Sequence, residues 1–130
     1  MPEKRKYRIL IVDDEHDITT AMKKGLEQEG FSVDTFNDPL MALENFKNLA
    51  YDLVLVDIKM TPINGFELYR RLLKIDNKVR VCFMTAFEIY NDEFRKVFPT
   101  ISVDCFILKP VTIDTLAKII TAQLVGVEAL

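Results

Sequence analysis

Short apolar runs alternate with longer amphipathic stretches along the whole chain. Four of the runs are almost entirely apolar, with Arg80 the one polar interruption, and partly β-branched, which is typical of strands covered on both faces. They are Ile9 to Val12, Leu53 to Val56, Val79 to Met84 and Cys105 to Leu108. A fifth run, Phe31 to Phe36, alternates apolar and polar positions, and this pattern favours a strand at the edge of a sheet. The chain is therefore predicted to contain five strands.

The stretches between these runs have helical periodicity. Their apolar positions, predicted to face a core, are Ile18, Ala21, Met22 and Leu26, then Leu40, Leu43 and Phe46, then Phe66, Leu68, Leu72 and Ile75. Gly30 is the predicted C-terminal stop of the first helix. Asp38 and Pro39 supply an N-cap and a first-turn proline for the second helix. Thr112 is the predicted N-cap of the last helix.

One segment, from Phe87 to Asp104, is less regular than the rest. A helix is predicted there over Asn91 to Phe98, because Pro99 ends the helical pattern. Five strands that alternate with five helices form βαβ units, which predict a doubly wound parallel α/β sheet with helices on both faces. Ligands of such sheets lie beyond the carboxyl ends of the strands, where the strand order reverses.

Composition and charge narrow the possible functions. With 130 residues, 49% of them hydrophobic, the chain is expected to form one globular domain with its own core. The net charge of −3 argues against a nucleic-acid or membrane-surface binder, and the basic residues from Lys4 to Arg8 are interpreted as a solvated lead-in. No apolar run is long enough for a signal peptide or a membrane span, so a cytoplasmic protein is expected. Cys82 and Cys105 are interpreted as reduced thiols in the core.

Polar residues stand at the carboxyl ends of four predicted strands. They are Asp13 and Asp14 after the first strand, Asp57 after the third, Thr85 after the fourth and Lys109 after the fifth. An aspartate that merely turns the chain would explain any one of these positions. It would not explain an acidic pair, a third acid, a hydroxyl and an amine at one edge of a sheet. This edge is therefore the candidate site.

The three carboxylates at this edge would repel one another strongly if the first and third strands are neighbours. An oxygen-only cluster without histidine or cysteine suits a hard divalent cation. Mg²⁺ fits best, because it combines one or two carboxylates with waters and phosphate. Lys109 and Thr85 then supply a positive charge and a hydroxyl suited to phosphoryl oxygens. The residues predict a site for phosphate chemistry.

Taken in order, these residues resemble the receiver domain of two-component response regulators. The matching positions are Asp13-Asp14, Asp57, Met60, Gly65, Thr85-Ala86 and Lys109-Pro110. The resemblance extends over residues 1–130 as a single receiver domain, and it implies a flavodoxin-like fold with strand order 2-1-3-4-5. Only Val125 to Leu130 follow the last predicted helix, so no output domain is expected in this chain, which is interpreted as either a stand-alone receiver or one domain of a longer protein. It also implies a signalling domain that catalyses only its own phosphorylation and dephosphorylation, and that is not otherwise an enzyme.

The resemblance implies a role for each residue at the edge. Asp57 would accept a phosphoryl group from a phosphohistidine on a histidine kinase or a phosphotransfer protein. Asp13, Asp14 or both would hold Mg²⁺, together with Asp57 and the backbone carbonyl of Lys59. Lys109 would pair with the phosphoryl group.

A conformational switch is also implied by the resemblance. Thr85 would move to hydrogen-bond the phosphoryl group while the aromatic ring of Phe106 turns inward, and the Lys109-Pro110 bond would be cis. The output would be a downstream protein or a second copy of the chain, bound on the face made by the fourth helix, the fifth strand and the fifth helix. No direct contact with nucleic acid or membrane is expected.

Several positions depart from the usual family pattern. Thr61 stands where most receivers have proline, and Pro62 follows it, so a different loop path is expected after the acceptor. Lys59 and Phe87 occupy positions that influence phosphoryl lifetime in the family. Our hypotheses are that the lysine stabilises the phosphoryl group and that the phenyl group shields it. His16 is interpreted as an exposed polar residue.

Three other functions fit parts of the sequence. A haloacid-dehalogenase-type phosphatase needs a second acid where Lys59 stands. A flavodoxin-like FMN carrier needs a glycine-rich phosphate loop where Asp13-Asp14-Glu15 would repel the ligand. The remaining alternative is a pseudo-receiver, a protein-binding module that keeps the fold and is not phosphorylated.

Overall fold

All five predicted strands are present in the computed structural model, which describes residues 6–48, 50–86 and 105–128. The strands are β1 (Arg8–Val12), β2 (Ser32–Phe36), β3 (Leu53–Asp57), β4 (Val81–Thr85) and β5 (Phe106–Leu108). The helices within the described residues are α1 (His16–Gln28), α2 (Pro39–Asn45), α3 (Gly65–Ile75) and α4 (Ile113–Glu128). The helix predicted over Asn91 to Phe98 falls outside the described residues.

The strands form one parallel sheet in the order β2-β1-β3-β4-β5, as predicted. The strand order reverses at β1, because the chain passes from β1 to β2 on one side and then returns to β3 on the other. Val12 lies opposite Val56 in the register of β1 and β3. The residues that follow these two valines therefore meet at the carboxyl edge of the sheet, where a ligand is expected.

Helices cover both faces of the sheet and form two apolar cores. Leu10 and Val56 pack in the core beneath α2 and α3, whereas Ile11 and Leu55 pack in the core beneath α1 and α4. All four side chains are 0% exposed. Alternate residues of a strand point to opposite faces, so burial on both faces explains the continuous apolar runs of β1 and β3. Across the described ranges, none of the helices has the length and apolar character needed to cross a bilayer.

Three helical residues that were predicted to face the core lie toward solvent instead. Ala21 is exposed, and Leu40 and Ile75 keep 40% and 39% of their surface accessible. α2 has only 7 residues and buries Pro39 and Ala42, so Leu40 in its first turn stays at the surface. On α1, α2 and α3, fewer of the apolar positions are buried than the periodicity predicts. The predictions at these three positions were wrong.

The predicted signals at the helix ends are confirmed. Asp38 Oδ1 accepts a hydrogen bond from the Leu40 amide at 2.9 Å, and Thr112 Oγ1 accepts one from the Thr115 amide at 3.2 Å. Gly30 follows α1 with a φ of +100°, a left-handed conformation that favours glycine. These local interactions define where α1 ends and where α2 and α4 begin.

Cys82 and Cys105 form a disulfide bond with an S–S distance of 2.07 Å. Their interpretation as reduced thiols was therefore wrong. The register places Phe83 opposite Phe106, so the cysteines that precede these two residues lie side by side on neighbouring chain segments. The pairing depends on the register of two segments 23 residues apart, which the sequence spacing alone does not reveal.

Candidate functional site

Asp13 and Asp57 are brought together because β1 and β3 are neighbours. Asp13 directly follows β1, and Asp57 is the last residue of β3. Their exposed fractions are 0% and 7%, whereas the adjacent Asp14 is exposed. Each of the three residues offers a carboxylate oxygen, and these oxygens lie within 4.8 Å of one another. The three predicted carboxylate ligands therefore meet at the carboxyl edge of the sheet.

The Asp57 carboxyl lies where its charge is unfavourable. Burial raises its pKa, and the negative charge of Asp13 raises it further, while the positive charge of Lys109 lowers it. The net effect raises the pKa of Asp57 from 3.8 to about 6. The surrounding residues therefore do not fully stabilise the negative charge of Asp57, and a bound cation would stabilise it further.

Lys109 reaches the acidic residues from the end of β5. Its Nζ donates a hydrogen bond to Asp13 Oδ2 at 2.6 Å and lies 3.6 Å from Asp57 Oδ1. Burial acts to lower the pKa of Lys109, but the hydrogen bond and charge of Asp13, with the charge of Asp57, outweigh burial and raise this pKa overall. Lys109 is therefore a protonated partner of both carboxylates, and it pairs more closely with Asp13.

Hydrogen bonds to the backbone hold the loop that follows β1. The Glu15 amide donates to Asp13 Oδ1 at 3.0 Å, and the Asp13 amide donates to the Phe36 carbonyl at 3.1 Å. Asn37 Nδ2 donates to the Asp13 carbonyl at 2.8 Å and to Thr19 Oγ1 at 2.9 Å. The sequence-based prediction missed Asn37. Its position directly after β2, at the same edge of the sheet, was the signal that could have identified it.

The loop after β3 passes close to Asp57 because Gly65 has no side chain. The Gly65 amide donates a hydrogen bond to the Ile58 carbonyl at 2.8 Å. A Cβ atom on Gly65 would lie 2.5 Å from the backbone carbonyl oxygen of Asp57, which is closer than real contacts allow. The same loop contains a cis peptide bond between Thr61 and Pro62, at the position where a different loop path was expected.

Thr85 and Lys59 both follow the three acidic residues in sequence. Thr85 ends β4 with 7% of its surface exposed, and its carbonyl accepts a hydrogen bond from the Lys109 amide at 2.7 Å. Lys59 follows Asp57 by two residues and is exposed. The peptide bond between Lys109 and Pro110 is cis, as the resemblance implied.

Phe106 lies on β5, beside the strand that ends in Thr85. Its side chain is half-buried, and its ring centroid lies 5.6 Å from that of Phe83. His16 is exposed at the start of α1, as predicted. Phe87 lies outside the described residues. The structure thus places the predicted switch residues Thr85 and Phe106 on neighbouring strands.

An apolar groove of about 560 Å³ opens beside Lys109. It runs between α1 and the loop that leads into α4, and its lining includes Ile18, Met22, Pro110 and Val111. The groove therefore places an apolar surface next to the charged site.

The side chains at the site fit a hard divalent cation. The cluster formed by Asp13, Asp14 and Asp57 offers only carboxylate oxygens. Oxygen ligands favour Mg²⁺ or Ca²⁺ over metals that prefer nitrogen or sulfur ligands. The raised pKa of Asp57 shows that its ionised form lacks full compensation from the protein alone.

Comparison with known proteins identifies relatives over most of the chain. Residues 9–121 match the family model of the response regulator receiver domain. The chain is 33% identical over 119 residues to the uncharacterized transcriptional regulatory protein YkoG of Bacillus subtilis, covering 92% of this chain and 51% of that protein. It is 30% identical over 117 residues to the transcriptional regulatory protein PrrA of Mycobacterium leprae, covering 90% and 49%. The chain therefore spans about half the length of these curated relatives.

Two solved structures are similar in both fold and sequence. A CheY-like response regulator receiver domain protein from Methanospirillum hungatei has a TM-score of 0.80 at 29% identity, covering 96% of this chain and 98% of that one. The response regulator TrrA from Thermotoga maritima, solved in complex with Mg²⁺ and BeF, has a TM-score of 0.74 at 30% identity, covering 88% and 96%.

Proposed function

The chain belongs to the response regulator receiver domain family, and from that premise we propose that it is a signalling switch phosphorylated on Asp57. The proposed donor is a phosphohistidine on a histidine kinase or a phosphotransfer protein. The observation that carries this proposal is the convergence of Asp57 with Asp13, Asp14 and Lys109 at one edge of the sheet. A merely structural aspartate at the end of β3 would need none of these companions.

In the proposed reaction, an oxygen of the ionised Asp57 carboxylate attacks the phosphorus atom. A P–O bond forms, the P–N bond to the donor histidine breaks, and the leaving imidazole nitrogen takes up a proton from solvent. Asp57 must be ionised to attack, and its pKa of about 6 leaves the ionised form predominant at neutral pH. Lys109 lies 3.6 Å from Asp57 Oδ1, so its ammonium can pair with an oxygen of the transferred group after a small movement.

Asp13, Asp14 and Asp57 are the proposed side-chain ligands of Mg²⁺, and the backbone carbonyl of Lys59 is the proposed fourth protein ligand. When bound, Mg²⁺ supplies positive charge that offsets both the carboxylates and the phosphoryl oxygens. The protein residues hold this charge at the carboxyl edge, where Asp57 reacts. The switch then acts only on its own aspartyl phosphate, and we propose no other enzymatic activity.

Thr85 and Phe106 are proposed to carry the effect of phosphorylation to the surface. Thr85 ends the strand next to β3, so a small backbone shift would bring its hydroxyl to the phosphoryl group. The ring of Phe106 lies half-buried against Phe83 on the adjoining strand and would turn inward as Thr85 moves. Leu108, at the end of β5, is 53% exposed, and its apolar side chain is proposed as a contact for a partner protein.

Protein contacts are the proposed inputs and outputs of the switch. The donor must approach Asp57, and the proposed contact surface for it is the apolar groove lined in part by Lys109. The proposed output face consists of the helix predicted over Asn91 to Phe98, β5 and α4, and its partner is a downstream protein or a second copy of the chain. A net charge of −3 supports protein rather than nucleic-acid contacts, and the proposed location is the cytoplasm.

Intact mass measurement after incubation with Mg²⁺ and acetyl phosphate tests the proposal. We expect wild-type protein to gain the mass of one phosphoryl group, and we expect Asp57→Asn to gain none. Asp114→Asn, at an exposed acid in the first turn of α4, is the matched control and should be phosphorylated like wild type.

Two results would overturn the proposed function. Wild-type protein that gains no mass in Mg²⁺ would favour the pseudo-receiver alternative. A gain that persists in Asp57→Asn would show that another residue accepts the phosphoryl group.

A further inference from the structure

We propose that Asn37 is a positioning residue for the acidic site, acting with Thr19 on the loop that follows β1. The inference rests on the proposed function, because this loop carries two of the proposed Mg²⁺ ligands. Asn37 contacts no proposed ligand atom of the metal. It acts through the backbone of Asp13 and through α1.

One amide nitrogen joins three segments of the chain. Asn37 Nδ2, just beyond β2, donates to the Asp13 carbonyl at 2.8 Å and to Thr19 Oγ1 at 2.9 Å. Thr19 Oγ1 in turn donates to the His16 carbonyl at 3.0 Å in the first turn of α1. Both hydrogens of the Asn37 amide are therefore used, one on the acidic loop and one on the helix that follows it.

The bond to the Asp13 carbonyl orients both acidic side chains. This carbonyl belongs to the peptide group that joins Asp13 to Asp14, so its direction determines where the Asp14 Cα lies. The Asp13 amide is also fixed, because it donates to the Phe36 carbonyl at 3.1 Å. The backbone of Asp13 is thus held to the end of β2 through both its N–H and its C=O group.

Thr19 is buried on a helix face whose other buried residues are apolar. It is 1% exposed, alongside Met22 and Leu26 on the same face of α1. A hydroxyl in such a place costs free energy unless it is hydrogen-bonded. Asn37 and the His16 carbonyl provide those bonds, so Thr19 serves the polar network and not only the packing of the core.

The test measures Mg²⁺ affinity by isothermal titration calorimetry without a phosphoryl donor. Loss of residues that orient metal ligands commonly weakens metal binding by a factor of about 10 to 100. Asn37 acts through the backbone, so we expect Asn37→Ala to raise the dissociation constant about three- to tenfold, below that range. Thr19→Val replaces the hydroxyl with a methyl group of similar size and should have a smaller effect, whereas Thr19→Ser keeps the hydroxyl and should keep wild-type affinity.

Asn45→Ala is the matched control. Asn45 Nδ2 donates to the Met41 carbonyl at 2.8 Å on α2, so this variant loses a comparable bond that does not reach the acidic loop. Its Mg²⁺ affinity should equal that of wild type. Hydrogen exchange of the Glu15 amide in EDTA gives a second, metal-free readout, because this amide donates to Asp13 Oδ1. Exchange should be faster in Asn37→Ala and unchanged in Asn45→Ala.

The outcomes separate this proposal from the proposed function. An Asn37→Ala dissociation constant within twofold of wild type, with unchanged exchange at Glu15, overturns the positioning role. If Asn37→Ala does not fold, a wild-type Mg²⁺ affinity in folded Thr19→Val would likewise overturn the positioning role. If Asn37→Ala binds Mg²⁺ more weakly than wild type, but wild type gains no phosphoryl group, the positioning role is supported and the proposed function is overturned.

Discussion

Lys109 Nζ lies 2.6 Å from Asp13 Oδ2, and the side chain of Asp13 is 0% exposed. The pair connects the loop after β1 with the end of β5, although β3 and β4 lie between these strands in the sheet. Removing one partner of a buried ion pair leaves the other charge uncompensated, which is strongly destabilising. Each charge of the pair is therefore compensated only while the other is present, and the ammonium of Lys109 competes with any other cation for Asp13.

Replacing Lys109 with methionine is expected to destabilise the metal-free protein by about 2 to 4 kcal/mol, because Asp13 and Asp57 lose their shared counter-charge. Mg²⁺ should recover more stability in this variant than in wild type, since no ammonium competes for Asp13. Urea unfolding in EDTA and in Mg²⁺ measures both effects. Lys118→Met, at an exposed lysine of α4, is the control and should differ little from wild type. Equal effects of Mg²⁺ on wild type and Lys109→Met would contradict the predicted competition.

The raised pKa of Asp57 predicts a pH-dependent effect of Asp57→Asn on stability. The pKa of Asp57 in the folded protein is about 6, above its ordinary value of 3.8, so the folded state holds this proton more tightly than the unfolded chain does. Ionisation of Asp57 therefore costs stability as the pH rises from 3.8 toward 6, and the full cost remains at higher pH. Asp57→Asn removes that cost.

In EDTA at pH 8, Asp57→Asn is expected to be more stable than wild type by about 1 to 2 kcal/mol. The difference should shrink toward zero as the pH falls below the ordinary pKa of an aspartate. Urea unfolding curves of both proteins across this range measure it, with Asp114→Asn as the control for an exposed acid. A difference that stays constant at every pH would show that the effect does not come from ionisation of Asp57.

Gly65→Ala is predicted to disturb the site as well as the fold. The added methyl group would lie 2.5 Å from the Asp57 carbonyl oxygen, and backbone at this distance cannot move aside without shifting the loop after β3. We expect a loss of about 2 kcal/mol or more in the free energy of unfolding, together with slower phosphorylation by acetyl phosphate.

Gly25→Ala is the matched control for this substitution. Its Cβ would lie 2.6 Å from the side chain of Ile113, where α1 meets α4. That variant should lose stability and keep a wild-type rate of phosphorylation after correction for the folded fraction. Equal rates in folded Gly65→Ala and wild type would show that the close approach to Asp57 does not shape the site.

The parts of this structure that depend on local sequence were predictable. Strand positions follow from the apolar runs, and the caps at Asp38 and Thr112 follow from side chains bonded to amides two or three residues away. The meeting of Asp13 with Asp57 followed from one further rule, that parallel strands end at a common edge. These inferences need no knowledge of how distant side chains pack.

Other features depend on how distant segments pack, and the sequence pattern did not reveal them. Asn37 reaches Asp13 across 24 positions of sequence. Lys109 was predicted at the same edge of the sheet, but its direct pairing with Asp13, 96 positions away, was not. Leu40 is exposed because the buried positions of the short helix α2 are Pro39 and Ala42, and a helical period does not specify which positions of so short a helix are buried. In each case, the missing information was the relative placement of two elements.

The disulfide between Cys82 and Cys105 is the clearest case of this kind, and it predicts a thiol count. Both residues are buried, at 0% and 6% exposure, so an alkylating reagent should label neither while the protein is folded. Protein denatured in the presence of the reagent without reductant should also remain unlabelled, whereas reduction after denaturation should expose two thiols. Intact mass measurement distinguishes these states.

The same bond should contribute to stability, because it closes a segment with a sequence separation of 23. A loop of this size corresponds to about 3 kcal/mol in the chain-entropy description, so Cys82→Ala with Cys105→Ala should lower the free energy of unfolding by about that amount or more. Wild type unfolded in the presence of reductant lacks the bond but keeps both cysteine side chains. Its free energy of unfolding should fall by a similar amount, so it controls for the cost of replacing two buried side chains with alanine. Two thiols labelled on denaturation without reductant would show that the pair is reduced, and the chain would then unfold equally in the presence and absence of reductant.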